Sequence, residues 1–260
     1  MDIERIKMVG IGAAYKGGEI LRSFLGKIGA PNHKGAIDMV TEADLLSEKA
    51  VMETIHQAFP DHGILAEESG MTGTNQKCRW IIDPLDGTTN YIHQLGIFAV
   101  SIAFEMDGNV LVGIVLNPVT GELFTAVHGQ GAQFNGNPIR VSQTHLVSES
   151  LLVTGFPYNF NEILSEVMSR FSKCLQASRG VRRLGSAALD LCYVACGRFD
   201  GFWEQNLKPW DTAAGFLIAH EAGARITDFS NRVYSIQSKE ILATNGRIHE
   251  DMLKLVKEST

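Results

Sequence analysis

Apolar residues at Ile3, Ile6, Ile11, Ala14, Leu21, Phe24 and Leu25 recur at near-helical spacing and predict an amphipathic helix over residues 3–26. A second helix is predicted over residues 43–58, ended by Phe59-Pro60-Asp61. Thr41 caps it, and Asp44 at its third position makes a capping-box variant. From residue 64 to 141 the pattern turns to strands. Ile64-Leu65-Ala66 is short and apolar, and residues 79–83 form another strand. Residues 98–105 and 110–116 flank Asp107-Gly108-Asn109, a hairpin turn. Asn117-Pro118-Val119-Thr120-Gly121 and Asn135-Gly136-Asn137-Pro138 are further turns. Residues 1–148 thus read as an antiparallel sheet packed on two helices.

Residues 149–260 change rhythm. Strands are predicted at 151–154, 181–184, 199–204, 225–228 and 241–244. Helices are predicted at 161–175, 186–196, 210–222 and 249–257. Such alternation implies a second α/β layer. No Pro/Gly/Ser-rich boundary separates the halves, so residues 1–260 read as one domain with a shared core.

Composition narrows the function classes. Apolar residues make up 45 % and charged residues 20 %, ordinary for a soluble globular protein. No run of about 18 apolar residues is present, which argues against a membrane span. The segment Met1-Asp2-Ile3-Glu4-Arg5-Ile6-Lys7 mixes charges and lacks the apolar core of a signal peptide. A net charge of −6 argues against nucleic acid as the main partner. Cys78, Cys174, Cys192 and Cys196 include no C-x-x-C pair. Cys192 and Cys196, four apart on an apolar helical pattern, are expected to be buried thiols, and a reducing cytoplasm is expected in place of a zinc site or a disulfide framework.

The candidate chemistry centres on Trp80-Ile81-Ile82-Asp83-Pro84-Leu85-Asp86-Gly87-Thr88-Thr89-Asn90. Two carboxylates stand where an apolar strand runs into a Gly-Thr-Thr turn, and Pro84 holds φ near −65° between them. Two such charges ~4 Å apart repel by roughly 4 kcal/mol at an effective dielectric of about 20. A folded chain tolerates this with a proton or a cation between them, and strand-turn geometry favours a cation. Gly87 and Thr88 start a helical turn whose amides favour a phosphate oxygen. Oxygen-only ligands beside an anion site suit Mg²⁺.

Other acidic motifs are ambiguous alone. Ala66-Glu67-Glu68-Ser69 is either a solvated loop pair or a ligand source. Asp211 in Trp210-Asp211-Thr212-Ala213-Ala214-Gly215 is either an ordinary N-cap or a ligand. Asp44 complements the helix dipole, or takes a proton from a Thr hydroxyl that holds an attacking water. Lys34 is exposed by default, or a loop charge near the site. Gly10-x-Gly12 with Gly17-Gly18 lies in a helical pattern with no preceding strand, which excludes a dinucleotide loop. No G-x-x-x-x-G-K-[ST], H-E-x-x-H or G-x-S-x-G motif is present. His93 and His220 read as structural, and Arg179, Arg182 and Arg183 as a solvated or subunit-contact patch.

Together, Glu67-Glu68-Ser69, the residues 80–90 motif and Trp210-Asp211-x-Ala213-Ala214-Gly215 resemble the inositol monophosphatase family in order and spacing. Arg182-Arg183-Leu184-Gly185-Ser186-Ala187-Ala188-Leu189-Asp190-Leu191, followed by Gly201-Phe202-Trp203-Glu204, resembles its bacterial branch. The resemblance spans nearly the whole chain. It implies an α+β fold, a five-layer αβαβα sandwich, and a Mg²⁺-dependent phosphomonoesterase. It implies one metal held by Glu67, Asp83 and the Leu85 carbonyl, and a second held by Asp83, Asp86 and Asp211. A weaker third ion uses Glu67 and water. Thr88, oriented by Asp44, helps activate the attacking water, and the Gly87 and Thr88 amides bind phosphate. Asp86, Gly185, Ser186, Ala187, Glu204 and Asp211 contact inositol hydroxyls. A cytoplasmic homodimer inhibited by Li⁺ is implied.

The loop Thr154-Gly155-Phe156-Pro157-Tyr158 lies where family members differ, facing the substrate alcohol. Rival substrates sharing the metal site are fructose 1,6-bisphosphate, NADP and 3′-phosphoadenosine phosphates. Glu204 tilts the balance towards a polyol monophosphate. A rival of another class is a regulatory binding protein contacted through the arginine patch. An intact acidic set argues against a purely non-catalytic role.

Overall fold

The computed structural model describes residues 2–27, 32–33, 39–40, 42–73, 75, 77–157 and 159–257. Lys34, the expected cap Thr41 and Tyr158 lie outside the described residues. Helices α1 (Ile3–Phe24) and α2 (Glu42–Ala58) match the two predicted helices. Between them β1 (Asn32–His33) pairs antiparallel with β2 (Met39–Val40).

Eight further strands follow: β3 (Gly63–Ala66), β4 (Gly70–Thr72), β5 (Cys78–Asp86), β6 (Ala99–Met106), β7 (Asn109–Asn117), β8 (Glu122–Val127), β9 (Ala132–Phe134) and β10 (Asn137–Pro138). The short helix α3 (Thr88–Ile92) interrupts them after β5. They form one sheet in the order β10-β9-β8-β7-β6-β5-β3-β4. Asp107 and Gly108 both have positive φ (49° and 81°), as do Asn135 and Gly136 (47° and 80°). The predicted turns at Asp107-Gly108-Asn109 and Asn135-Gly136-Asn137-Pro138 therefore form, with left-handed backbone at the Asp-Gly and Asn-Gly pairs. The sheet is not purely antiparallel, because β3 and β5 run parallel. The chain turns back through β4 before β5 begins, so β5 returns beside β3 in the same direction.

The second half contributes β11 (Leu151–Thr154), α4 (Leu164–Ala177), β12 (Gly180–Arg182), α5 (Ala187–Ala195) and β13 (Gly201–Gln205). It continues with α6 (Pro209–Glu221), β14 (Arg225–Thr227), β15 (Glu240–Thr244) and α7 (His249–Val256). Its sheet runs β12-β11-β13-β15-β14. The predicted strand at 199–204 begins only at Gly201. Asp200 instead spends its carboxylate on the Leu151 amide (2.7 Å) and the Ser142 hydroxyl (2.5 Å).

The layers are α1 and α2, the eight-stranded sheet, α5 and α6, the five-stranded sheet, then α4 and α7. Both sheets are covered on both faces, so their strands read as near-continuous apolar runs. Along the regular stretches of the strands, side chains alternate between faces. Trp80 and Ile82 face α1 and α2, while Ile81 faces the middle helices. Val153 and Phe202 face the middle helices from the other sheet, while Leu152 and Trp203 pack towards α4 and α7. Among the described residues, no helix is long and apolar enough to cross a membrane.

The glycines of α1 serve packing. A Cβ at Gly10 would collide with Ile114. One at Gly17 would lie 2.8 Å from Ser47 Oγ and Val51 Cγ2. Gly12 has nothing within 4 Å of such a Cβ. Gly17→Ala should therefore lower stability by about 1–3 kcal/mol, whereas Gly12→Ala should raise it by up to ~1 kcal/mol. Thermal melts of the two variants check this contrast, and equal shifts would contradict it.

Candidate active site

The site begins with an irregularity in β5. Asp83 pairs with Ser101 and Asp86 with Ala99, so three steps on β5 match two on β6. Residues three apart on a regular strand point to opposite faces. The extra residue of the bulge returns Asp86 to the face of Asp83. Pro84, which has no amide hydrogen to give a ladder, sits inside the bulge. That shared face looks towards α5 and α6: Ser101, opposite Asp83, donates to the Trp210 carbonyl at 3.4 Å.

Asp83, Asp86 and Asp211 each spend one oxygen on a nearby donor. Asp83 Oδ1 accepts from the Leu85 amide at 2.9 Å. Asp86 Oδ2 accepts from Ser186 Oγ at 2.6 Å and from the Ala188 amide at 2.7 Å. Asp211 Oδ2 accepts from the Lys208 amide at 2.7 Å. Asp211 is thus three residues inside α6, not its N-cap. Glu67 opens the turn between β3 and β4, where its amide donates to the Ile82 carbonyl at 3.1 Å.

Gly87 has φ 104°, and a Cβ there would press on the Ile97 and Gly185 carbonyls, so glycine suits this approach. It caps α3. Asn90 donates to the Ile97 and Leu184 carbonyls, both at 2.7 Å, and ties α3 to the segment leading into α5. Ser186 caps α5 by accepting from the Leu189 amide.

These elements enclose a cleft of about 470 Å³. Glu67, Asp86, Gly87, Thr88 and Asp211 line one part of it. Gly185, Ser186, Ala187 and Glu204 line another. Gly155, Phe156 and Pro157 from the expected alcohol-facing loop, with Phe160, Leu207 and Trp210, complete an aromatic wall. Asp83, Leu85 and Asp44 lie behind this lining, each 2 % exposed or less. One expected contact differs. The Thr88 hydroxyl donates to the Leu85 carbonyl at 3.1 Å, not to Asp44. That carbonyl lies three residues back, within reach of the first turn of α3. A carbonyl has two lone pairs, so this bond leaves one for a cation.

Electrostatics mark the site as strained. Burial raises the Asp83 carboxyl well above its usual range, and Glu67, Asp86, Asp211 and Asp44 each push it further. Burial moves Asp86 up to about 6 against the Ser186 and Ala188 bonds. Burial also moves Asp211 up to about 7, opposed by the Lys208 amide and reinforced by Asp86. Glu204, pressed against Gly155, is pushed up to about 8 by burial and by Asp211. Among the described residues, no three acidic, histidine or cysteine side chains are drawn together at ligand spacing. Bare carboxylates repel one another, and the donor set is all oxygen, so the residues fit a hard divalent cation of the Mg²⁺ type.

The model of the inositol monophosphatase family matches residues 2–260. The chain belongs to this family. It is 43 % identical over 254 residues to an inositol-1-monophosphatase of Synechocystis, covering 96 % of this chain and 88 % of that one. It is 44 % identical over 223 residues to the Nus factor SuhB of Escherichia coli K12, covering 85 % and 84 %. The solved structure of inositol monophosphatase from Anabaena superposes with a TM-score of 0.90 at 42 % identity, covering 98 % and 96 %. The suhB protein of Bartonella henselae superposes with a TM-score of 0.94 at 38 % identity, covering 98 % and 100 %. The five-layer sandwich is the fold of these family structures.

Sequence reasoning missed three side chains at the site. Asp190, in the first turn of α5, is fully buried, lines the cleft, and neither of its oxygens meets a hydrogen-bond donor among the described residues. Arg183 stands over the Phe156 ring at 5.8 Å and faces Glu204 and Asp190 electrostatically. Glu48 of α2 binds the turn that carries Glu67. Asp190 lay inside a quoted motif, but no local signal separates it from other helix acids.

The raised carboxyls fix the sign of a pH effect. A folded-state pKa above the unfolded value means that the folded chain binds more protons as pH falls. Glu204 at about 8 and Asp211 at about 7 titrate between pH 8 and 6.5, above the range where unfolded carboxylates do. His249, held near 4 by burial between Thr227 and Thr244, opposes this only below its unfolded value of about 6.5. The metal-free protein should therefore gain stability as pH falls from 8 to 6.5, and Mg²⁺ should raise the melting temperature more at pH 8 than at 6.5. A melting temperature independent of pH and Mg²⁺ over this range would contradict the charge assignment.

Proposed function

We propose that the chain is a Mg²⁺-dependent phosphomonoesterase that hydrolyses an inositol monophosphate to inositol and phosphate. The observation that carries this reading is the buried Asp83 carboxylate, faced by four other acids behind a cleft of small-molecule size. Glu67, Asp83 and the Leu85 carbonyl would hold one ion. Asp83, Asp86 and Asp211 would hold a second, and Glu67 a weaker third. When bound, Mg²⁺ supplies Lewis acidity towards the phosphate oxygens, the attacking water and the leaving oxygen.

The chain's own residues do the positioning. The Gly87 and Thr88 amides orient the phosphate. In water activation the Thr88 hydroxyl would turn from the Leu85 carbonyl to Asp44, taking the attacking water's proton as it passes its own to the Asp44 carboxylate, while the new oxygen–phosphorus bond forms in line with the breaking one and the leaving alkoxide takes a proton from solvent. Ser186, which lines the cleft, donates its hydroxyl to Asp86 Oδ2 at 2.6 Å and caps α5, which favours direct attack by water over a phosphoenzyme. Positioning and electrostatics supply most of the rate. Gly185, Ser186, Ala187, Glu204, Asp86 and Asp211 bind the alcohol's hydroxyls. Two buried acids at this end, Glu204 and Asp190, call for hydroxyl donors, which favours a polyol over a plain alcohol. We also propose a cytoplasmic, Li⁺-sensitive homodimer.

Asp211→Asn should reduce Mg²⁺-dependent phosphate release by about 100-fold or more; activity near wild type would remove Asp211 from the metal set. Thr88→Ala should lower kcat more than it raises KM, and the reverse would remove Thr88 from water activation. A phosphate-release screen with Mg²⁺ should favour inositol 1-phosphate over fructose 1,6-bisphosphate, histidinol phosphate and NADP. Preference for the bisphosphate would overturn the substrate assignment.

A binding role beside catalysis is favoured by relatives named Nus factor SuhB and by exposed Arg179, Arg182 and Arg183 on and beside edge strand β12. Its test is partner capture with wild-type protein and an Arg179→Glu/Arg182→Glu variant that retains phosphatase activity. Identical partner sets would remove the patch from such a role.

A further inference from the structure

Glu48 lies one turn beyond Asp44 on α2 and is 4 % exposed. Its two carboxylate oxygens accept from consecutive backbone amides. Oε2 accepts from Glu68 at 2.9 Å and Oε1 from Ser69 at 3.0 Å. Both amides belong to the three-residue turn 67–69 that joins β3 to β4. That turn sits at the outer edge of the eight-stranded sheet, where β4 is the last strand and only three residues long. A short edge hairpin has little ladder to steady its tip, so its local opening is inexpensive. The clamp from α2 supplies what the ladder lacks. Charge-assisted bonds of this kind are roughly twice as strong as neutral ones.

The same face of α2 reaches the other acidic segment. Ser47 Oγ donates to the Pro84 carbonyl at 3.2 Å, inside the bulge between Asp83 and Asp86. Positions 44, 47 and 48 follow the i, i+3, i+4 spacing of one helix stripe. One helix thus holds both loops that deliver carboxylates to the cleft.

We propose that Glu48 is a positioning residue for the candidate metal site. Through the Glu68 and Ser69 amides it fixes the turn that carries Glu67, and so sets how tightly a divalent cation is held. It touches neither cation nor substrate. The proposal rests on the metal-dependent reading given under Proposed function.

The test measures Mg²⁺ binding directly, by calorimetry on the full chain without substrate, beside melting curves of the metal-free proteins. Glu48→Gln keeps the shape but only one acceptor oxygen. It should raise the Kd for Mg²⁺ about 10-fold or more, as loss of a residue supporting a metal ligand does, while saturating Mg²⁺ restores most of kcat. Glu48→Asp keeps both acceptors one methylene shorter, should shift the Kd less in the same direction, and serves if the glutamine variant does not fold. An unchanged Kd in the folded variants overturns the proposal, even if the melting temperature falls. Glu67→Gln is the reference arm. If it weakens Mg²⁺ binding and the Glu48 variants do not, positioning fails alone. If wild type binds no Mg²⁺, the metal reading fails with it.

Discussion

Several buried carboxylates face one another around one cleft, and their mutual repulsion is the constraint around which it is built. Asp83 bears most of it, with no solvent to screen it and four acids facing it. The fold answers partly with its own donors. The Leu85, Ala188 and Lys208 amides and the Ser186 hydroxyl each hold one oxygen of an aspartate. These bonds aim the side chains but leave the negative charge in place. A bound divalent cation, as proposed above, would offset that charge.

The layered architecture explains why the acids meet. Asp83 and Asp86 come from the eight-stranded sheet, Asp211 from a middle helix, and Glu67 from an edge turn of that sheet. The middle helices α5 and α6 enter from the second half with their N-terminal turns towards the bulged strand, where Asp86 takes the Ser186 and Ala188 bonds. The bulge at Pro84 is the local device that makes this possible, since a regular strand would send Asp86 to the opposite face, towards α1 and α2. Phe156, Phe160 and Trp210 line the same cleft as the buried Glu204 and Asp190.

Local features were legible in the sequence. The two N-terminal helices, the Asp107-Gly108 and Asn135-Gly136 turns and the alternating second half all follow from short-range periodicity and turn chemistry. The parallel pairing of β3 with β5 was not legible, because it depends on a strand pairing across an intervening hairpin. The Asp83–Asp86 pair announced itself by its spacing. Glu67 and Asp211 joined it only through resemblance to a family, since each alone is an unremarkable loop or helix acid. Glu48 and Asp190 carry no local signal: a glutamate on an amphipathic helix reads as solvent-exposed until the turn it binds is placed beside it.

The account stands on the claim that the acidic cluster is a metal site. Anomalous diffraction from crystals equilibrated with Mn²⁺ tests this most directly. Peaks are expected among the carboxylates of Glu67, Asp83, Asp86 and Asp211. Well-ordered carboxylates with no anomalous density between them would contradict the claim.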